Sequence, residues 1–461
     1  MKKLFLLLTV MLATSMSLLA QGTSWQTATL INSGATKTGT LDGTTTEVWY
    51  KINVTTEGHV DLVATSTGTL TLSTGSTVYG FKNNATYSRG SFTGATGTYS
   101  DVNISYHATD VGKGTYYIRI ARYGGAGSYT LKYTFTPCAL SNDPEPNNDY
   151  QSSSQLQSGA TVQGRLGHRT SDDVTDTEDW YKIVVPEEGH IEFRAISTEN
   201  LTLSTSGTVV YGFKNNGIYS RGSFTGATGT YSDDTITYQA TNVGKGTYYV
   251  RINRYGGSGG YRLYYKFTPC PLAADPEPND VFENAGWLPS GPTKQGRLGY
   301  QTSDDVTDYN DWYRFTVTKK GSIEFTVTAT ENLTFSPSGT AIYGLRDNGS
   351  TYWIGGFTGS GNYSAATVTY QANDMEKGTY YVRVNRYGGS GGYRITYNGP
   401  TKTGDVDGDG RITISDVTDL IDKLLGANNP SFAIDDADVD GDGRLTIGDV
   451  TDLIDLLLEE D

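Results

Sequence analysis

The chain has 461 residues, 18% of them charged, with 57 glycines, 34 tyrosines and a formal net charge of −15. That length exceeds a single core and implies roughly three or four units of ~100–150 residues. The acidity is local: residues 401–461 hold 17 acidic against 4 basic residues, so the other 400 carry only −2, and nothing invites nucleic acid.

The amino terminus, "MKKLFLLLTVMLATSMSLLAQG", sets Lys2 and Lys3 before a short apolar run that ends in small residues. This is the pattern of a secretory signal peptide over 1–20, cleaved after Ala20, and the run is too short for a membrane span. The expected product is secreted and extracellular, has no transmembrane segment, and could be held at a cell surface through a scaffold.

Beyond that segment a 132-residue offset organises the chain. "YGFKNNATYSRGSFTGATGTYSD" at 79–101 returns at 211–233 with only Ala85 and Thr86 replaced, by Gly217 and Ile218. "RYGGAGSY" at 122–129 becomes "RYGGSGGY" at 254–261 and again at 386–393. The repeats are therefore placed at 23–137, 138–269 and 270–398, with a linker at 399–403 and an acidic module at 404–461. Their apolar period is two: Val60, Leu62 and Ala64 alternate, as do Tyr248, Val250 and Ile252 against Tyr249, Arg251 and Asn253. Gly-rich breaks every eight to twelve residues predict a mainly all-β chain of three antiparallel sandwiches, with no helix before residue 415. Each repeat is long enough for its own core, and the short Pro-containing joins read as semi-rigid spacers. The aromatics and Arg of "YGFKNN…YSRG" suit either an adhesive surface or burial, and strand alternation favours burial for most tyrosines.

Cys138 and Cys270 sit in matching contexts, "FTPCAL" and "FTPCPL". Export permits a disulfide between them that would staple the ends of the middle repeat; the alternative is two unpaired thiols inherited by duplication.

"DPEPND", "DWYKIVV" or "DWYRFTV" after an acidic loop, and "GTYYVRV" near the end make repeats two and three resemble the bacterial pre-peptidase C-terminal domain. That family is a β-sandwich module attached to secreted enzymes, some of whose relatives bind calcium. The resemblance implies one calcium ion in each of repeats two and three. Its ligands would be Glu145, Asn147, Asp176 and Asp179, and then Glu277, Asn279, Asp280, Asp308 and Asp311. The other reading is a stiff Asp-Pro-Glu-Pro turn beside a solvated loop. Repeat one has "DGTTTEVWYKI" and no such Glu-Pro-Asn, so the site should be missing there.

The last sixty residues contain "DVDGDGRITISDVTDLIDKLLG" and, 33 positions on, "DVDGDGRLTIGDVTDLIDLLLE". Loop positions 1, 3, 5, 7, 9 and 12 are Asp405, Asp407, Asp409, Arg411 (through its carbonyl), Thr413 and Asp416. The second copy has Asp438, Asp440, Asp442, Arg444, Thr446 and Asp449. Alternating carboxylates closed by a fourth, with Gly410 or Gly443 at the sharp turn, form an oxygen cage for one Ca2+ per loop. Val417, Leu420, Ile421, Leu424 and Leu425, like Val450, Leu453, Ile454, Leu457 and Leu458, predict one amphipathic helix after each loop. "NGPTKTG" precludes a helix before the first loop, and position 12 is Asp rather than Glu. Across 404–459 the pattern resembles a type I dockerin, which implies a cohesin domain of a scaffold protein as partner. The family's partner-reading positions fall on Ile414, Ser415, Ile447 and Gly448, with Lys423 nearby, matched by Leu456 in the second half.

No catalytic constellation emerges. Of the four histidines, His59 and His190 correspond to Ser322, His107 to Gln239 and Gln371, and His168 to Tyr300, so no recurrent Ser–His–Asp or zinc site exists. The expectation is a non-catalytic protein whose sandwiches bind substrate, matrix protein or glycan. The alternatives are a free calcium-dependent adhesin and a hydrolase with an unrecognised site.

Overall fold

The computed structural model describes residues 22–400, 404–427, 432, 434–439 and 444–459, apart from Gly97, Asp143, Thr230 and Thr318. The expected signal peptide lies outside the described residues, as do Asp440 and Asp442 of the second acidic loop. Three pairs of sheets follow one another along the chain. In the first, a five-stranded sheet runs Thr36–Leu41, Gly127–Pro137, Gly58–Ser66, Asn103–Val111 and Thr93–Gly94. Facing it, Glu47–Val54 and Gly114–Gly124 form the centre of a seven-stranded sheet, to which the hairpin of Thr77–Lys82 and Ala85–Ser91 is attached. The pairing is antiparallel except at Thr29–Leu30, which runs parallel to Glu47–Val54, and its counterparts in the later repeats.

Alternation decides which face is buried. Val60, Leu62 and Ala64 point into one core and Tyr248, Val250 and Ile252 into another, as the period of two requires. Tyrosine fills much of each core, and the hydroxyls satisfy one another: Tyr50 meets Tyr129 at 2.8 Å, Tyr181 meets Tyr261 at 2.5 Å and Tyr313 meets Tyr393 at 2.6 Å. Before the carboxy-terminal unit, the described helices are two three-residue 3-10 turns, Trp25–Thr27 and Phe282–Asn284.

The joins are not spacers. The hairpin of each of the first two units grips the next unit directly. Arg89, almost wholly buried, donates to the carbonyls of Arg169 at 3.0 Å and Thr170 at 3.2 Å. Arg221 repeats this on Gln301 at 3.1 Å and Thr302 at 3.2 Å. Single β-bridges, Val111 to Arg169 and Val243 to Gln301, close the same seams. Charge-assisted bonds to these half-buried carbonyls fix the two partners more tightly than a short Pro-rich linker would.

Both cysteines are free and buried. Of the two readings open for them, the structure has the unpaired thiols, each enclosed at a different seam, Cys138 against Glu199 and Cys270 against Glu331.

The carboxy-terminal unit carries α1 (Ile414–Leu424), the short α2 (Ile434–Ala437) and α3 (Ile447–Glu459). Val417 and Leu420 of α1 pack with Val450 and Leu453 of α3, Val406 and Ala437. The stripes expected from the sequence are only partly used. Leu425 is 80% exposed and Leu458 71%, because two short helices cannot bury more than one edge of each other.

Candidate functional site: paired carboxylate clusters

In the third sandwich, Asp311 opens the buried strand Asn310–Val317, and the segment "DPEPND" folds back over it. The Trp312 N–H donates to the Asn279 carbonyl at 2.9 Å, which brings the two segments together. Asp275, Glu277 and Asp311 each offer an oxygen within 4.8 Å of the others. Tyr393 donates to Asp311, and Tyr313 donates to Asp275 at 2.8 Å, so the core tyrosines end on this cluster. Asn279 Oδ1 and Asp311 Oδ1 are buried with no hydrogen-bond partner among the described residues.

The charges crowd one another. Burial, and then the charges of Glu277, Asp280 and Asp275, pushes Asp308 up to about 9. Burial, reinforced by Asp275 and Asp280, raises Glu277 to about 7. Burial also lifts Asp311 well above the carboxylate range. The second sandwich repeats the arrangement with Glu145, Asp176 and Asp179 within 4.8 Å of one another, and Trp180 N–H on the Asn147 carbonyl at 2.8 Å.

Asp275, which the resemblance does not include among its implied ligands, joins the cluster from the first position of "DPEPND". The signal was its spacing: Asp275, Glu277 and Asn279 alternate along one extended segment. Asp280, expected as a ligand, is exposed overall, but it lines the same cavity as Asp275, Glu277 and Asp308, and its charge acts on Asp308.

The first acidic loop at the carboxy terminus folds around its own carboxylates. Asp416 Oδ1 accepts from the N–H groups of Val406 at 2.7 Å and Asp407 at 3.1 Å, while Oδ2 accepts from Thr413 at 2.7 Å. Thr413 caps α1 through the Ser415 N–H at 3.1 Å, so one short segment closes the loop and starts the helix. Asp405 Oδ2 accepts from Gly410 N–H at 2.9 Å. Gly410 has φ +88°, a left-handed turn that favours glycine at loop position 6.

Asp405, Asp407 and Asp416 converge within 4.8 Å, and Asp405 Oδ1 is buried with no partner among the described residues. Burial, then the charges of Asp416, Asp409 and Asp407, raises Asp405 to about 6. In the second loop, Asp449 accepts from Val439 at 2.8 Å and from Thr446 at 2.7 Å, matching the first.

A hard divalent cation fits such donor sets: all oxygen, several carboxylates, and buried lone pairs without a donor. Calcium would neutralise the crowded charge and cross-link the segments that supply it. Around it, Asp416 and Asp449 would still organise the backbone N–H groups that start each helix.

The positions that the resemblance would assign to partner reading lie on the surface. Ile414 is 74% exposed and Ile447 73%, a near-equal pair on the first turns of α1 and α3. Lys423 Nζ stands 5.2 Å over the Phe432 ring, whereas its counterpart Leu456 is half-buried, so the two halves differ at that point.

No curated protein sequence matches the chain. Among solved structures it is similar to the pre-peptidase C-terminal domain of a collagenase from Bacillus anthracis, at 19% identity over all of that chain and 27% of this one, with a TM-score of 0.20. It is also similar to a tandem CBM22 domain of Paenibacillus barcinonensis Xyn10C, at 10% identity over 96% of that chain and 61% of this one, with a TM-score of 0.17. Residues 403–458 match the family model of the Dockerin type I domain, and this end of the chain is a type I dockerin module.

Proposed function

We propose that the chain is a secreted, non-catalytic cargo protein that its calcium-loaded dockerin attaches to a cohesin of a scaffold protein. The three sandwiches then act as binding modules for an extracellular protein or glycan. The observation that carries this reading is the dockerin match together with the exposed pair Ile414 and Ile447, flanked by Ser415, Gly448 and Lys423. Large apolar side chains displayed in duplicate on a small acidic module suit a partner interface better than a solvated end. Two Ca2+ ions would be held by the dockerin and one by each of repeats two and three.

The test is calorimetric titration of the full chain with type I cohesins, in calcium and in chelator. Binding in calcium alone is expected. Ile414→Asp or Ile447→Asp should each leave one docking face, and the double substitution should abolish binding. No binding to any type I cohesin, with both loops calcium-loaded, would favour a free calcium-dependent adhesin. In that second reading the Lys319–Asp436 ion pair, which ties the dockerin to the third sandwich, makes the tail a structural cap.

A further inference from the structure

Where the first sandwich meets the second, four side chains with metal-binding chemistry converge. Cys138, His168 and Glu199 come from the second repeat, and His59 reaches in from the first. One donor atom each of Cys138, His168 and Glu199 lies within 4.8 Å of the others. Glu199 Oε2 is 3.6 Å from Cys138 Sγ and also 3.6 Å from His59 Nε2. Its other oxygen, Oε1, accepts from the Ala139 N–H at 3.2 Å, which holds the carboxylate in this orientation.

His168 is only 4% exposed, and neither of its ring nitrogens has a hydrogen-bond partner among the described residues. Buried polar groups are rarely left in that condition without a ligand or a cost to stability. Burial holds the ring's pKa below the ordinary histidine value, in the neutral form that has a lone pair to give.

The second seam is an internal control. Cys270 Sγ lies 3.7 Å from Glu331 Oε2 and His190 Nε2 lies 3.0 Å from Glu331 Oε1, so three of the four groups recur. The fourth does not. Tyr300 stands where the first seam has His168, and its hydroxyl donates to Glu331 Oε2 at 3.0 Å. Its ring packs with Cys270 and Leu272. One backbone thus carries a tyrosine version closed by its own hydrogen bond and a histidine version with two unmet nitrogens.

We propose that Cys138, His168, Glu199 and His59 form a site for a borderline-soft divalent cation of the zinc type, which clasps the first two sandwiches together. A tetrahedral cation with bonds of ~2.0–2.3 Å sets its donors roughly 3.3–3.8 Å apart. The two 3.6 Å separations already fall in that range. Thiolate and imidazole select zinc, whereas the all-oxygen clusters select calcium, so the two kinds of site do not compete. Binding forms a metal–sulfur bond and releases the Cys138 thiol proton to solvent.

The test is titration of the full chain, in saturating calcium, with Co2+ as a spectroscopic probe. One equivalent should give a thiolate-to-cobalt charge-transfer band that Zn2+ displaces. Cys138→Ser and His168→Tyr should each lose the band, and Cys270→Ser should keep it. His168→Tyr places at the first seam the side chain that the second seam already accommodates, so loss of fold is not the expected cause. Tyr300→His should raise the cobalt stoichiometry of the band from one to two. Absence of a thiolate band in the unmodified chain, or a band that survives Cys138→Ser or His168→Tyr, overturns the proposal.

Discussion

The first and third sandwiches have the same strand order at their cores and the same buried tyrosine pair, yet they end that pair differently. In the third, the hydroxyls of Tyr313 and Tyr393 reach Asp275 and Asp311. In the first, the residue in the place of Asp311 is Val48, buried in the core. The Trp49 N–H donates to the carbonyl of Gly22 at 2.8 Å, where the third sandwich uses Asn279. A Cβ on Gly22 would lie 2.6 Å from the Thr27 carbonyl oxygen, so no ligand side chain fits there. One fold therefore tolerates an apolar or a multiply acidic end, and the acidic end must be neutralised, by protons or by a cation, where the apolar one need not be.

The contrast has measurable consequences. The largest is expected for Val48→Asp, which buries a carboxylate beside the Tyr50–Tyr129 pair but without the Asp-Pro-Glu-Pro segment that faces Asp311 in the third sandwich. It should cost about 3–5 kcal/mol in denaturant unfolding, equally with calcium and with chelator. Rescue by calcium would show that Gly22 does not block a site.

Asp311→Val, the reciprocal change, should raise the third sandwich's stability in chelator by about 1–3 kcal/mol, the penalty of a buried unmet polar group. In calcium the sign should reverse, because the variant forfeits ligand-linked stabilisation. Thermal unfolding of the full chain in both conditions reads this, and equal shifts would rule Asp311 out as a ligand.

The smallest effect concerns Asp42, in the loop that replaces the acidic segment of the later repeats. Its Oδ1 accepts from Thr44 N–H at 2.7 Å and Thr45 N–H at 2.8 Å. These bonds, chiefly that from Thr45, lower its pKa to about 2. A depressed carboxyl pKa gives stability that is complete above the ordinary carboxylate value and is lost as pH falls toward 2. Carboxyl NMR titration should find Asp42 near 2, and Asp42→Asn should flatten the acid limb of unfolding. An ordinary titration would remove this loop's distinction.

Much of the architecture was legible in the sequence because it is local. Loop spacing brought Asp405, Asp407 and Asp416 together, and period-two alternation put Tyr248 and Leu62 inside. What escaped depends on contacts between distant segments. Arg89 looks like a surface residue until its hairpin meets the carbonyls of Arg169 and Thr170, eighty residues away. Asp275 resembles a turn former until Tyr313 donates to it from another strand. The cysteines share a sequence context, which says that they occupy equivalent places and, for that same reason, gives no reason for them to meet. The helix stripes overstate burial because two helices leave each other's outer edge uncovered.

The Arg89 and Arg221 grips also give the array a grammar. Each grip needs a donor hairpin on one unit and an acidic loop, "TSDDVTD", on the next. The first unit has the hairpin but, at "DGTTT", not the loop. The third has the loop but places Ile354 where the arginine stood, and that isoleucine packs on its own core. The second alone has both. The three units thus behave as a start, a middle and a stop rather than as interchangeable copies. Swapping the first and third would leave both seams without their fasteners.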